Sequence, residues 1–507
     1  MLTKHNYIVN LQKVTLHNFK NVENGEISFQ SYKHREKMSK KLKQAKKNNE
    51  NIYDCIDFQE GRLSDIIGIY GQNGSGKTTF IDAINLLKSI LSGQSLPKYV
   101  NEFIGHNDTK SRLEFVFYIK KNEKIFNKTV NINEDNQDNE SEELLFYNFE
   151  IEGIKTEKEE YGEDTTNNNE ISEIKVVHER IYTKSIVDFE INNISNLIEF
   201  NLNSDKEIRY LKASGDKVKL EVAKALADKM KTSFIFGEEN YNIFKDFSYI
   251  LNEKIIVLRQ FAQKNLIVIR NDRLRAQKGD DPIPFNLIIY NNNNKKLKEY
   301  LVSYNDYITL KKEEHAVICK TMKSINTVIS SIIPGLQIEI NEIGNKVLNN
   351  GEVGKLVELL SVRENVKIPL VCESDGIKKI IAILSALIAM RIDEGVCLLV
   401  DELDAGVYEY LLGEILYVLE HDSSGQFIFT SHNLRALETL SKDAIVFTTI
   451  NPKNRYCRFN NVKPSNNLRD SYIRSLVLGG QKEDLYSDAD RNDIGFAFFN
   501  SLEEEDE

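Results

Sequence analysis

The 507-residue sequence has no apolar run approaching the roughly 20 residues that a membrane-spanning helix needs; its best, IIAILSALIAM (380–390), stops well short. The opening MLTKHNYIVN lacks a signal-peptide core. The expectation is a soluble, cytoplasmic protein with no membrane partner. The five cysteines, at 55, 319, 372, 397 and 457, form no CxxC pair, and Cys397 lies in an apolar run where a small buried residue fits. A reducing compartment is the natural setting. Basic excess is missing too. A formal charge of −11 and a pI near 5.5 argue against indiscriminate binding of phosphate backbones, so any nucleic-acid contact must come from a local patch. There is no internal repeat and no sustained heptad pattern.

A 58.4 kDa chain with 41% apolar residues exceeds one ordinary domain and predicts two or three lobes. NYIVNLQKVTLHNFKNVENGEISF reads as two strands about a turn at Asn24-Gly25, and DIIGIY as a third strand that runs into a Gly-rich loop. TTFIDAINLLKSIL then carries apolar residues at helical spacing. From 112 to about 200, RLEFVFYI, LLFYNFEIEG and IKVVHERIYT alternate apolar and polar residues as antiparallel strands do. The acidic stretches NEDNQDNESEE and KTEKEEYGEDTTNNN between them read as loops. Residues 216–334 have a mostly helical pattern that ends at Pro334-Gly335, and they read as an inserted arm. Beyond it, LQIEINEI and KLVELLSV are strand-like, ESDGIKK opens a long helix, and VCLLV, QFIFT and AIVFTTI are strands. The domain expectation is therefore an N-terminal lobe over 1–215, a helical arm over 216–334 and a C-terminal lobe over 335–507.

GIYGQNGSGKTTF (68–80) carries the strongest chemistry. Gly71, Gly74, Gly76, Lys77 and Thr78 satisfy GxxxxGK[ST] between a strand and a helix, with Asn73, Ser75 and Thr79 completing the loop. Glycines let backbone N–H groups turn onto phosphate, and the helix N-terminus adds its positive end. Lys77 should meet the β- and γ-phosphates of ATP and Thr78 should bind Mg²⁺. Asp401-Glu402, after the apolar VCLLV, fits a second metal-site carboxylate followed by a water-positioning one, so Asp401 joins Thr78 as metal ligand and Glu402 is the catalytic candidate. A DE pair after a strand is by itself more often a solvated strand end; the phosphate loop changes that reading. A lone histidine at a strand end, such as His432 in FTSHN, is usually only a satisfied polar residue, but it follows Glu402 by about 30 residues.

Together these motifs resemble ABC-type ATPases of the RecF/SMC and OLD-like branch. The resemblance implies an α/β ATPase head, a split RecA-like core with an antiparallel β lobe, interrupted by an arm. It implies that His432 senses the γ-phosphate, beside Lys77 and Glu402 as catalytic residues. It implies that Ser374 and Gly376 of ESDGIKK form a signature loop reaching ATP on a second protomer, with Asp404 in the D-loop, so that a complete site needs two chains. Asn18, Phe19 and Lys20 in HNFKN match the family's NF-plus-basic opening and join the nucleotide-binding set. Two departures stand out: Tyr408-Glu409 replaces a His-Pro pair, and Ile377 replaces a threonine. No glutamine fills the Q-loop role.

Stand-alone OLD-like ATPases serve in prokaryotic antiphage systems such as Septu and PARIS, where a separate effector is held or activated. The resemblance thus implies an oligomeric sensor or scaffold that controls a partner nuclease or toxin. The alternative is a RecF/SMC-like repair or chromosome-maintenance ATPase acting directly on DNA. Residues 31–49, with Lys33, Arg35, Lys37, Lys40, Lys41, Lys43, Lys46 and Lys47 against Glu36, are either a solvated excursion or the DNA or partner contact. A scaffold that binds ATP with little turnover is a third reading. The DAD at 488–490 has no strand before it to support a metal pair.

Overall fold

A computed structural model describes residues 7–29, 66–97, 104, 110–121, 142–155, 171–187, 190–204, 206–210, 217–270, 284–291, 296–303, 307–348, 351–459, 467–478, 482–486 and 491–500. The basic stretch 31–49, the segments 156–169 and 133–141 of the acidic loops, and the DAD at 488–490 lie outside them.

The chain opens with β1 (Tyr7–Phe19), β2 (Val22–Ser28), β3 (Ile66–Tyr70) and α1 (Lys77–Leu91). Next come β4 (Lys110–Lys121), β5 (Glu142–Lys155), β6 (Ile171–Val187), β7 (Glu190–Asn201) and β8 (Ile208–Arg209). Helices α2 (Lys217–Met230), α3 (Glu238–Phe247) and α4 (Tyr249–Gln260) lead through one π-helical turn into β9 (Leu266–Ile269). A hairpin, β10 (Pro284–Asn291) and β11 (Lys296–Ser303), precedes β12 (Ile308–Leu310), α5 (Lys312–Ile332), β13 (Leu336–Val347), β14 (Val353–Arg363) and β15 (Val366–Pro369). The remainder is α6 (Asp375–Ile392), β16 (Cys397–Val400), α7 (Glu409–Asp422), β17 (Gln426–Ser431), β18 (Ile445–Thr448), β19 (Tyr456–Cys457), α8 (Leu468–Leu478) and α9 (Arg491–Asn500).

Two sheets position the site. One is antiparallel, in the order β2-β1-β4-β5-β6-β7-β8, and the other runs β19-β18-β3-β17-β16-β9 with every pairing parallel except that of β19. Period-2 alternation explains how the second sheet serves two cores. Ile67, Ile69, Leu399 and Ile428 face α1 and the antiparallel sheet, in one cluster with Phe80, Ile84, Phe115 and Tyr147. Ile66, Tyr70, Leu398, Val400, Phe427 and Phe429 face the other way, onto Ile381 and Leu384 of α6 and Leu412 and Leu416 of α7. Helix α1 therefore lies between the two sheets and is buried on nearly every side, as an all-round apolar helix should be. The result is the expected α/β architecture with an antiparallel lobe.

Two expectations need correction. Residues 216–334, expected as an inserted helical arm with a mostly helical pattern, hold strands β9–β12 as well as helices α2–α5. Phe234, Phe236, Phe244 and Leu251 from α2–α4 and the turns beside them join the core of the antiparallel lobe. Strand β9 pairs in parallel with β16 at the edge of the phosphate-loop sheet, from Leu266↔Cys397 to Ile269↔Val400. Helix α5 packs with the C-terminal lobe, where Asn326 grips Ile338 of β13 through its N–H at 2.7 Å and its carbonyl at 2.8 Å. LIVI is a four-residue apolar run directly after a helix, and periodicity alone does not separate such a run from more helix. The first turn is also displaced: Lys20 and Asn21 make it, with Asn18 and Lys20 at positive φ, while Asn24 and Gly25 lie inside β2. Gly25 is needed there for close approach, because a β-carbon would lie 2.7 Å from the Tyr456 ring.

A buried carboxylate ties α2–α4 to the antiparallel sheet. Glu179 of β6 accepts bonds from Tyr147 Oη (2.7 Å), Ser233 Oγ, Phe234 N (2.7 Å) and Ile235 N (3.2 Å). Complete burial still raises its pKa.

Candidate nucleotide site

Central strand β3 delivers the phosphate loop at the carboxyl end of the parallel sheet, where ligands of open α/β sheets bind. Gly71 leaves the strand so close to β18 that a β-carbon would lie 1.7 Å from Thr448 Oγ1. Ser75 Oγ shares a 2.5 Å hydrogen bond with that hydroxyl and donates to the Gln72 carbonyl at 2.7 Å. Gly76, at φ 98°, caps α1, and its carbonyl accepts a 2.8 Å bond from Tyr456 Oη. Asn73 and Gly74 form the exposed tip. Lys77 is buried, and its ammonium donates to the carbonyls of Gly71 and Gln72, both at 2.8 Å. Burial lowers its pKa to about 8, against the pull of Asp401, Glu402 and Asp404.

Strand β16 brings Asp401 alongside. Its carboxylate accepts from Thr430 Oγ1 at 2.6 Å and from Thr78 Oγ1 at 3.4 Å, and its N–H donates to the Ile269 carbonyl of β9 at 2.9 Å. Burial raises its pKa, partly countered by the Thr430 bond. A hydroxyl and a carboxylate converging in this way are hard oxygen donors, the set that Mg²⁺ prefers. The structure thus brings together both expected metal ligands. Glu402 follows at φ 47°, its N–H bonded to Thr430 Oγ1 at 2.7 Å and its carbonyl accepting from Lys379 of α6 and from Ala405 N (3.0 Å).

His432, exposed just past β17, donates its backbone N–H to Asp404 Oδ2 at 3.0 Å. Although its surface is open, partial desolvation of the ring by the surrounding protein and the Lys77 charge lower its pKa. Asp404 Oδ1 is buried without a hydrogen-bond partner, an acceptor still to be satisfied. Ser374 caps α6, accepting from Ile377 N at 3.4 Å, and is exposed, whereas Gly376 is buried against Gly406 of the same chain.

The opening motif departs from its expected place. Asn18 donates to the Lys110 carbonyl at 2.6 Å, Phe19 is fully buried in the lobe core, and Lys20 pairs with Asp82 of α1 at 2.7 Å. The next residue touches the loop instead: Asn21 donates to the Gly74 carbonyl and accepts from Thr79 Oγ1 at 2.8 Å. Arg455 supports it from behind, reaching the Asn21 carbonyl at 2.6 Å and the Thr449 carbonyl at 2.7 Å. Arg455 and Tyr456 carry no sequence signal of their own, whereas Asn21 sits beside the NFK triplet, Thr430 lies in FTSHN and Lys379 ends ESDGIKK. Asp82, one turn beyond Thr78 on the same helical face, was open to such a reading.

A family profile described as "AAA domain, putative AbiEii toxin, Type IV TA system" matches residues 66–208 and 231–438, more than half of the chain. No curated protein matches. Among solved structures, an SMC head bound to the C-terminal winged-helix domain of ScpA is 12% identical with a TM-score of 0.43, over 89% of this chain and 97% of that one. The SMC head domain from Thermotoga maritima (13%, TM-score 0.34) covers 89% of this chain and 99% of its own. RecF with ATP, from the RecFOR pathway (14%, TM-score 0.32), covers 84% and 94% respectively.

Proposed function

The chain belongs to this AAA-domain family, and from that premise we propose that it hydrolyses ATP as an oligomeric sensor or scaffold that controls a separate nuclease or toxin effector. The observation that carries the ATPase reading is the convergence of Lys77, Thr78 and Asp401 at one sheet end, with Glu402 next in the chain. Backbone N–H groups of the phosphate loop and the α1 N-terminus bind the β-phosphate. Lys77 moves from the loop carbonyls to the phosphate oxygens. Thr78 and Asp401 would hold Mg²⁺, which offsets phosphate charge when bound. Glu402 orients the attacking water, and His432 meets the γ-phosphate.

The effector reading draws on the toxin system named in the family's description and on the resemblance to antiphage ATPases. Helix α9 fits a docking role, since it exposes Ile494, Phe496 and Phe499 and buries none of its residues. Ser374, exposed at the start of α6, is the residue we assign to a second copy's nucleotide, with Asp404 nearby in its own chain. If closing such a dimer improved binding a hundredfold at each of two sites, the coupling would be about 5.5 kcal/mol, enough to switch it from open to closed. ATP binding would then signal and hydrolysis would reset.

The basic stretch 31–49 favours the second reading, direct action on DNA. Phosphate release with Mg²⁺, measured for the wild type and Glu402→Gln with and without duplex DNA across a salt series, separates the two. Turnover abolished by Glu402→Gln and indifferent to DNA supports the effector reading. Stimulation that fades with salt replaces it with the DNA reading, and no turnover at saturating ATP removes hydrolysis from both.

A further inference from the structure

We propose that Lys379 is a positioning residue for Glu402, fixing the backbone from which that carboxylate is aimed. The inference rests on the ATPase reading and adds to it the last residue of ESDGIKK, to which the resemblance assigns no role. Lys379 lies in the second turn of α6 and is only 5% exposed. A buried ammonium persists only where oxygen atoms receive it, and Lys379 Nζ donates to the Glu402 carbonyl.

That carbonyl belongs to a residue in an uncommon conformation. Glu402 has φ 47°, in the left-handed region that non-glycine residues rarely occupy. Such a conformation persists when its surroundings over-determine it. Here three bonds do so: Glu402 N–H to Thr430 Oγ1 at 2.7 Å, Ala405 N–H to the Glu402 carbonyl at 3.0 Å, and the Lys379 bond to that same oxygen. The first comes from β17 and the second from the local turn. The third reaches Glu402 from α6, the helix that Ser374 opens. Rotation of the 402 backbone toward an ordinary strand conformation would carry the carboxylate with it, while the phosphate loop, Thr78 and Asp401 stay in place. Loss of Lys379 should therefore slow the chemical step and spare nucleotide binding.

The experiment measures kcat and KM for ATP, with binding of a fluorescent ATP analogue, for the wild type, Lys379→Met, Lys379→Arg, Glu402→Gln and the Lys379→Met/Glu402→Gln double variant. The expected result is a kcat at least tenfold lower for Lys379→Met, with KM and analogue affinity within threefold of wild type. Lys379→Arg, which keeps a cationic donor, should recover most of that loss. The double variant should be no slower than Glu402→Gln, because Lys379 acts through the missing carboxylate. Wild-type kcat in Lys379→Met, losses that multiply in the double variant, or a fall in analogue affinity matching the fall in kcat would each overturn the proposal while leaving the ATPase reading intact. A wild-type protein without turnover overturns both. If Lys379→Met does not fold, Lys379→Gln takes its place under the same criteria.

Discussion

Gly376, in the first turn of α6, lies so close to Gly406 that a β-carbon added to it would sit 1.8 Å from the Gly406 carbonyl oxygen. Gly406 itself has φ 76°. The helix that Ser374 opens therefore rests by backbone contact on the loop carrying Glu402 and Asp404. Gly376→Ala sets two effects against each other. Alanine in a helix gains about 1 kcal/mol over glycine. The overlap is with backbone, which cannot swing aside as a side chain can, and overpacking of this kind costs about 1–3 kcal/mol or more. The net expectation is a loss of up to about 2 kcal/mol, read as a lower urea midpoint at unchanged m. A midpoint at or above wild type would show that the loop yields freely.

Lys77 gives a pH dependence to nucleotide binding. Its pKa in the free protein is lowered to about 8 because burial disfavours the ammonium. Phosphate oxygens favour that ammonium, so binding above pH 8 must take up a proton. ATP affinity should accordingly fall as pH rises from 8 to 9.5, by up to tenfold per unit. Lys77→Arg, whose guanidinium stays charged throughout, should flatten the curve even if it binds more weakly. Calorimetry in buffers of different ionisation enthalpy would count the proton directly, and an uptake of zero at pH 9 would contradict the argument.

Glu373, immediately before Ser374, governs stability on the acid side. Its carboxylate is buried and bonded to Arg363 and Ser361, and the Arg363 bond leads in holding its pKa below the usual 4.5. A carboxyl with a depressed folded pKa binds fewer protons folded than unfolded, so its contribution is full above about 4.5 and disappears as pH falls through the lower folded value. Glu373→Gln should be less stable than wild type at pH 7, with the gap closing as pH drops below 4.5. Urea unfolding at pH 7 and at pH 3.5 checks this, and a gap of equal size at both would assign the effect to packing alone.

What the sequence revealed and what it hid divide by the distance along the chain over which each feature is encoded. The phosphate loop, the Asp401-Glu402 strand end and the alternation of β4 to β6 are written within a dozen consecutive residues, so their form was legible. Strand β9 hid because its identity depends on β16, far along the chain, and its four apolar residues follow a helix without a break. Asn21 hid behind the better-known Asn18-Phe19-Lys20, although its side chain bonds both the Gly74 carbonyl of the phosphate loop and Thr79. Arg455 and Tyr456 support the site from a segment that no local pattern connects to it, and Lys379 ends the ESDGIKK motif at a position to which the resemblance assigns no role.

Lys20 is better understood through Asp82 than through nucleotide. Asp82, on α1 and 1% exposed, accepts from Lys20 at 2.7 Å and from Arg270, the residue that follows β9. The β1–β2 turn, the phosphate-loop helix and the edge strand beside Asp401 are thereby tied to one carboxylate, whose charge also helps raise the pKa of Asp401. Asp82→Asn would leave two cations facing an amide. Removing one partner of a buried ion pair costs about 3–5 kcal/mol; Lys20 is partly exposed, so about 2–3 kcal/mol is the expectation here. The electrostatic consequence at the metal position has a definite sign. Asparagine removes one negative charge from beside Lys20 and Arg270, so a divalent cation near Thr78 and Asp401 meets a more positive surrounding. The Mg²⁺ concentration for half-maximal phosphate release should rise several-fold, and adding Lys20→Met to Asp82→Asn should restore part of it by removing one of the cations. A Mg²⁺ titration of the three proteins decides the matter: equal midpoints would confine Asp82 to holding the fold together, whereas a rise that Lys20→Met reverses would make the triad part of how the site holds its metal.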